Sequence, residues 1–113
     1  MFEKKLRLVD LYDFYGKMLT DKQNETMDLY CNMDLSLGEI SENLSISRQA
    51  VHDTIKRTDK ALEKLEAQLG LYERFVSRQN DFNEILKLVE AFKEDHNEKH
   101  IDQIARIATK QVE

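Results

Sequence analysis

The chain has no proline, no tryptophan, three glycines and one cysteine in 113 residues. So little turn-forming material argues against hairpins and long irregular loops, and hence against a β-rich domain. The lone Cys31 has no internal partner for a disulfide, and its neighbours Met27, Tyr30 and Met33 mark it as a small buried apolar residue. No apolar run approaches the roughly 20 residues a bilayer-spanning helix requires, so membrane insertion is not expected. The N-terminal stretch MFEKKLRLVD mixes acids with bases, unlike a signal peptide, and a cytoplasmic location follows as the expectation. A glycine-rich phosphate loop is missing, as is any strand on which a nucleophile elbow could be built, so neither enzyme activity nor a cofactor is expected.

What remains is a charged, helix-rich chain: 35% of residues are charged and 41% hydrophobic. The apolar residues recur by threes and fours rather than alternating, which predicts an all-α fold. Residues 3 to 19 read as one amphipathic helix with Leu6, Val9, Leu11, Tyr12, Phe14 and Tyr15 on a broad buried face. Phe14 and Tyr15 are read as packed interior rather than as a base-stacking platform. Thr20 and Gln23 form a capping box that starts a second helix, with Met27, Tyr30, Cys31 and Met33 on its core side.

The stretch SLGEISENLSISRQAVHDTIKRT, residues 36 to 58, reads as two short helices joined by a tight turn. Ser36 with Glu39 closes a capping box on the first, and Ser47 caps the second. Gly38 lets a neighbouring helix approach closely. With Val51 and Ile55 facing inward, Gln49, His52, Asp53, Lys56 and Arg57 fall on the opposite face of the second helix. Gln49 can pair with adenine, Lys56 and Arg57 can reach guanine or phosphate, and His52 can meet a base edge. Ser47 and Arg48 stand at the helix start, where free amides can hold a phosphate. The expected nucleic-acid-binding residues are therefore Ser47, Arg48, Gln49, His52, Lys56 and Arg57; the competing reading is a helix pair that merely packs.

The segments LVDLYDFYGKMLTDKQ, SLGEI and ISRQAVHDTIKRT resemble the YlxM family of small bacterial helix-turn-helix proteins, whose fold is similar to region 4 of sigma factors. The likeness runs from about residue 2 to residue 75. It implies a domain of DNA-binding type without a wing and without enzyme activity. It also implies a connection with the signal recognition particle pathway, suggested by genes lying beside those of the particle's GTPase. On the family pattern, Ser47, Arg48, Gln49, Lys56 and Arg57 are the contact residues of this chain.

Charge qualifies the DNA reading, because the chain carries a net −5. Residues 47 to 60 set Arg48, Lys56, Arg57 and Lys60 against Asp53 and Asp59, whereas residues 21 to 46 set Lys22 against six acids. Since phosphate neutralisation supplies most non-specific affinity, one copy should bind duplex DNA weakly, and a homodimer or a protein partner is expected to help. The expected partners are thus DNA or structured RNA, components of the signal recognition particle, and a second copy of the chain.

The residues Ile55, Leu62, Leu69 and Val76, interleaved with Val51, Thr58, Leu65, Tyr72 and Gln79, keep a heptad spacing that persists beyond Arg57. Gly70 within it either ends the helix as a left-handed cap with Leu71 packing back or is tolerated inside one long helix. The unbroken register favours a helix continuous or gently kinked through it, with Leu65, Leu69, Tyr72 and Val76 needing a cover that a second copy supplies. The expected division is a four-helix domain over residues 1 to 69 and a helical extension over 70 to 113. Phe82, Ile85, Leu86, Val89 and Phe92 continue the stripe in a new phase. After the polar run KEDHNEK, the residues Ile101, Ile104, Ala105, Ile107 and Ala108 predict a last short helix, which either folds back on the extension as a local hairpin or packs across a dimer, the latter being the expectation. His96, Glu98 and His100 lack a further ligand at credible spacing, and no metal is expected there.

Overall fold

A computed structural model describes residues 2–113, which form six α-helices and, among the described residues, no strand. The helices are α1 (Phe2–Tyr15), α2 (Asp21–Met27), α3 (Leu37–Leu44), α4 (Arg48–Leu69), α5 (Leu71–Asp95) and α6 (Glu98–Val112). They divide into two compact units, the first ending at Tyr72 and the second being Glu73–Glu113.

The local signals operate as their chemistry requires. Thr20 accepts from the Gln23 amide at 3.2 Å while the Gln23 side chain accepts from the Thr20 amide, and Ser36 with Glu39 does the same. The hydrogen bond from the Ser36 amide holds the Glu39 carboxyl below its ordinary range. The first helix is shorter than its apolar rhythm predicts. It stops at Tyr15, and Gly16–Met18 forms a single 3₁₀ turn. At Gly16 a side chain would stand 3.2 Å from the Tyr12 ring, whose hydroxyl reaches Asn24 of α2 at 3.1 Å. The chain thus bends around Tyr12, and Leu19 becomes extended to deliver Thr20 to its capping position. Helix α2 runs into a π-helical turn, Asp28–Asn32. Met33 beyond it is exposed, not core-facing as its spacing suggests.

In the first unit α4 is the shared partner, packing against α1, α2 and α3. Leu62 of α4 joins Leu8, Leu11 and Tyr15 of α1 and Met27 of α2 in one buried cluster. Ile55, Leu65 and Tyr72 pack at its edge, and Val51 and Thr58 are fully buried as well, so most of the predicted heptad seam is consumed inside one molecule, while Leu69 and Val76 are exposed. Cys31 also lies at that edge, where burial pushes its thiol up to about 11. A group so far from ionised at neutral pH is a poor nucleophile.

The helix is not continuous through Gly70. That residue takes a left-handed conformation, φ +62°, which ends α4, and α5 starts at Leu71. The reason lies across the fold in a buried polar node. The Tyr15 hydroxyl donates to Glu66 at 2.6 Å and accepts from the Leu71 amide at 3.0 Å, and the Tyr72 amide donates to the same Glu66 oxygen at 3.0 Å. The first amides of a helix have no partner within it, so Tyr15 and Glu66 together cap α5. Burial, then the bond to Glu66, holds the Tyr15 phenol above its ordinary range. The Tyr72 hydroxyl donates to Asp10 at 3.1 Å, and Arg7 forms a two-pronged ion pair with Glu63 at 2.6 and 2.9 Å.

The second unit is a helical pair. Asp81 accepts from Lys110 and Gln111, and Leu88 is its buried apolar residue. Between the helices His96 is left-handed at φ +54°, Asn97 caps α6 through the Lys99 amide, and His100 pairs with Asp95 at 3.0 Å.

Two expectations follow. Replacing Tyr15 by Phe strips the Leu71 amide of its acceptor and Glu66 of a donor, and should lower the unfolding free energy by about 1–3 kcal/mol in urea titration. At Gly70 an added side chain meets nothing within 4 Å. Gly70→Ala should therefore lose only about 1–2 kcal/mol, through the left-handed backbone, with Gly70→Asn losing less by the same measurement.

Candidate nucleic-acid interface

Helices α3 and α4, with the three residues between them, form the helix-turn-helix. Ser45 makes the turn in a left-handed conformation, φ +57° and ψ +42°, where many such turns use glycine. The Ser41 hydroxyl donates to the Ile46 carbonyl at 2.5 Å, and the Ile46 amide donates to the Ser41 carbonyl at 3.1 Å. These two bonds keep the chain turned in spite of the backbone cost. Ser47 then caps α4, accepting from the Ala50 amide at 3.0 Å. Ile40 and Val51, on helices that pack together, are each fully buried, which fixes the rotation of α4 about its axis.

That rotation decides where the polar side chains go. Ser47, Arg48, Gln49, His52, Lys56 and Arg57 are all exposed. Gln49, Asp53, Lys56 and Lys60 share the side directly opposite the core, while His52 and Arg57 flank it on opposite edges, as a helical step of about 100° per residue dictates. Lys56 and Arg57 make no hydrogen bond or ion pair among the described residues. Gln49, by contrast, donates its amide to Asp53 at 2.9 Å. Asp53 also lies 3.7 Å from Nδ1 of His52. Before Gln49 can present both donor and acceptor to a base edge, this internal bond has to open.

Arg48 stands apart from the others. Its guanidinium lies over Gly38, where a Cβ would come within 2.9 Å of it. The glycine thus admits a cation from the first turn of α4 onto α3; what uses the space is this side chain and not the close approach of a helix backbone expected at that position. Arg57, on the other edge, shares a cleft with Thr20, Lys22 and Gln23 of the α2 start and with Thr54. Lys22 did not stand out in the sequence, because it is a single base among acids, on a different helix from Arg57. Its only available signal was adjacency to the Thr20 capping box.

Other sites considered from sequence do not assemble. His96 packs against the Phe92 ring at 5.6 Å between centroids and His100 is committed to Asp95. Among the described residues no group of three or more potential ligands gathers. No helix among them is long and apolar enough to cross a membrane.

Comparison with known proteins agrees with this geometry. The family profile described as "Putative helix-turn-helix protein, YlxM / p13 like" matches residues 2–104, reaching well into α6 and past the stretch whose residues suggested the likeness. A "UPF0122 protein" of Thermoanaerobacter sp. (strain X514) is 48% identical over 100 residues, covering 85% of this chain and 86% of that protein. A counterpart in Limosilactobacillus reuteri (strain DSM 20016) is 45% identical, covering 88% of each. Another in Bacillus cereus (strain AH187) is 42% identical over 97% of this chain and 98% of its own length. The capped turn that presents α4 and a match over nearly the whole length therefore place this chain in the YlxM / p13-like helix-turn-helix family.

Proposed function

We propose that the protein is a DNA-binding regulator that seats α4 in the major groove, acting in the cytoplasm through binding alone and without a catalytic step. One observation carries the reading. Val51 is fully buried while Gln49, Lys56 and Arg57 stand exposed on the far side of the same helix, at the second position of a helix-turn-helix. In this motif the second helix enters the major groove with its N-terminal residues at the base edges. Gln49 would read adenine once released from Asp53, with His52 beside it. Lys56 would meet guanine or phosphate, and Ser47 with Arg48 would hold the backbone where α4 begins.

The reading extends to a homodimer. Phe82 and Leu86 of α5 are 56% and 62% exposed, four residues apart, and Phe75 and Val89 continue their line at heptad spacing. A second copy covering this stripe doubles the cations offered to DNA, which a chain of net −5 needs. Phe82→Glu should turn a sedimenting dimer into a monomer with α-helical content retained; a wild-type chain that sediments as a monomer overturns the dimer.

A second reading is favoured by the acids around the α4 face. The tie between Gln49 and Asp53, and the acidic run before Ser47, suit an adaptor docked on a ribonucleoprotein better than a free-standing reader. In that case the ligand is the signal recognition particle, its RNA or its GTPase. Selection from random duplexes at low salt separates the two. A DNA reader yields a preferred sequence that Gln49→Ala relaxes, while Lys56→Ala weakens all sequences and lowers the salt slope by about one. Absence of duplex binding, with the particle's RNA or GTPase retained on the tagged protein, overturns the DNA reading in favour of the adaptor.

A further inference from the structure

Between α2 and α4 lies a cleft of about 120 Å³ lined by Thr20, Lys22, Gln23, Thr54 and Arg57. At about 30 Å³ per water, that is room for a few waters or for one tetrahedral anion. Every one of these five side chains carries a hydrogen-bond donor, two of them are cations, and no carboxylate is among them. In a chain with six acids between residues 21 and 46, such a lining is unusual.

The capping box arms the cleft. Because the Thr20 oxygen accepts from the Gln23 amide, its hydroxyl proton is left to donate elsewhere. Because the Gln23 side-chain oxygen accepts from the Thr20 amide, its NH₂ group is left as a pair of donors. Neither Lys22 nor Arg57 makes an ion pair among the described residues. Lys22 also borders a second groove, where Asp21 and Glu25 lie with Thr26, Leu44 and Ile46, so the residue is shared by an acidic groove and a donor-lined cleft. A ligand of opposite charge would draw it to the donor-lined side.

We infer that this cleft is a phosphate clamp, in which Lys22 and Arg57, with the Thr20 and Thr54 hydroxyls and the Gln23 amide, take one phosphodiester of a nucleic-acid backbone beside the α4 reading face. The inference rests on the DNA reading above and assigns Arg57 to the backbone rather than to a base. Guanidinium and ammonium bind a phosphate differently, the first as a planar fork and the second as a point charge, and hydroxyl donors fill the remaining lone pairs. A backbone contact positions the protein without carrying sequence information. The clamp therefore sets how far along the groove Gln49 falls.

The test is a salt titration of duplex binding by the full-length protein and its variants. Lys22→Ala should weaken every sequence alike and lower the salt slope by about one, with the preferred sequence unchanged. Lys22→Arg should restore the slope, and thermal unfolding should be unchanged in both because the side chain is exposed. Inorganic phosphate is the second probe: a clamp specific for backbone phosphodiester gives no saturable shift of the Gln23 amide resonances with free phosphate, and does give one with a short duplex. If Lys22→Ala leaves affinity and slope intact while Lys56→Ala reduces both, the clamp is refuted and the DNA reading stands. A saturable response to inorganic phosphate alone overturns the backbone assignment in favour of a free-anion site. If the wild-type protein binds no duplex, the failure belongs to the DNA reading, and the clamp falls with it.

Discussion

A nearly buried carboxylate governs the shape of the first unit. Transfer of an ionised acid into a protein interior is costly unless its oxygens are hydrogen-bonded. Glu66 meets that demand with the Tyr15 hydroxyl and the Tyr72 amide. The arrangement works in both directions, because the same groups satisfy the orphan amides at the start of α5. Remove the left-handed turn at Gly70 and the amides of Leu71 and Tyr72 no longer reach the node. The break between α4 and α5, the seating of α1 on α4 and the burial of Glu66 are thus one structural fact.

That node also bears on the outward polar face of α4. Helix α4 carries Gln49, His52, Lys56 and Arg57 in its first half and the node in its second, so whatever holds Glu66 and Leu62 in place holds the rotation of the whole helix. Val51 and Thr58 are buried on the same side as Leu62, and the outward positions follow by geometry. The acidic character of the chain acts on top of this. Asp53 occupies the Gln49 amide, and the cations on this face of α4 are few, so the face is a small set of placed groups and not a broad basic surface.

Much of this was legible in the residues. The two capping boxes, the Ser47 cap, the turn between α3 and α4 and the outward set from Gln49 to Arg57 are all local patterns, decided within four residues along a helix. The membership of the family was legible for the same reason, since its motifs lie in these segments. The heptad spacing across Gly70 misled because periodicity records which residues are apolar, not which surface covers them. Leu62 and Leu65 are covered by α1 of the same chain. The end of α1 at Tyr15 was hidden likewise, since it depends on Tyr12 meeting Asn24 across a turn.

By itself, then, the amino-acid order determined the all-α class, the starts of α2, α3 and α4 and the identity of the face that α4 turns outward, because caps and helical periodicity act between near neighbours. Tertiary structure alone decided which of the two readings of Gly70 holds, by bringing the Tyr15–Glu66 pair to the Leu71 and Tyr72 amides, and that Arg48 rests on Gly38 and Lys22 comes beside Arg57. Each of these joins groups far apart in the chain. Such pairings exist only once packing has brought the helices together, and no local propensity encodes them.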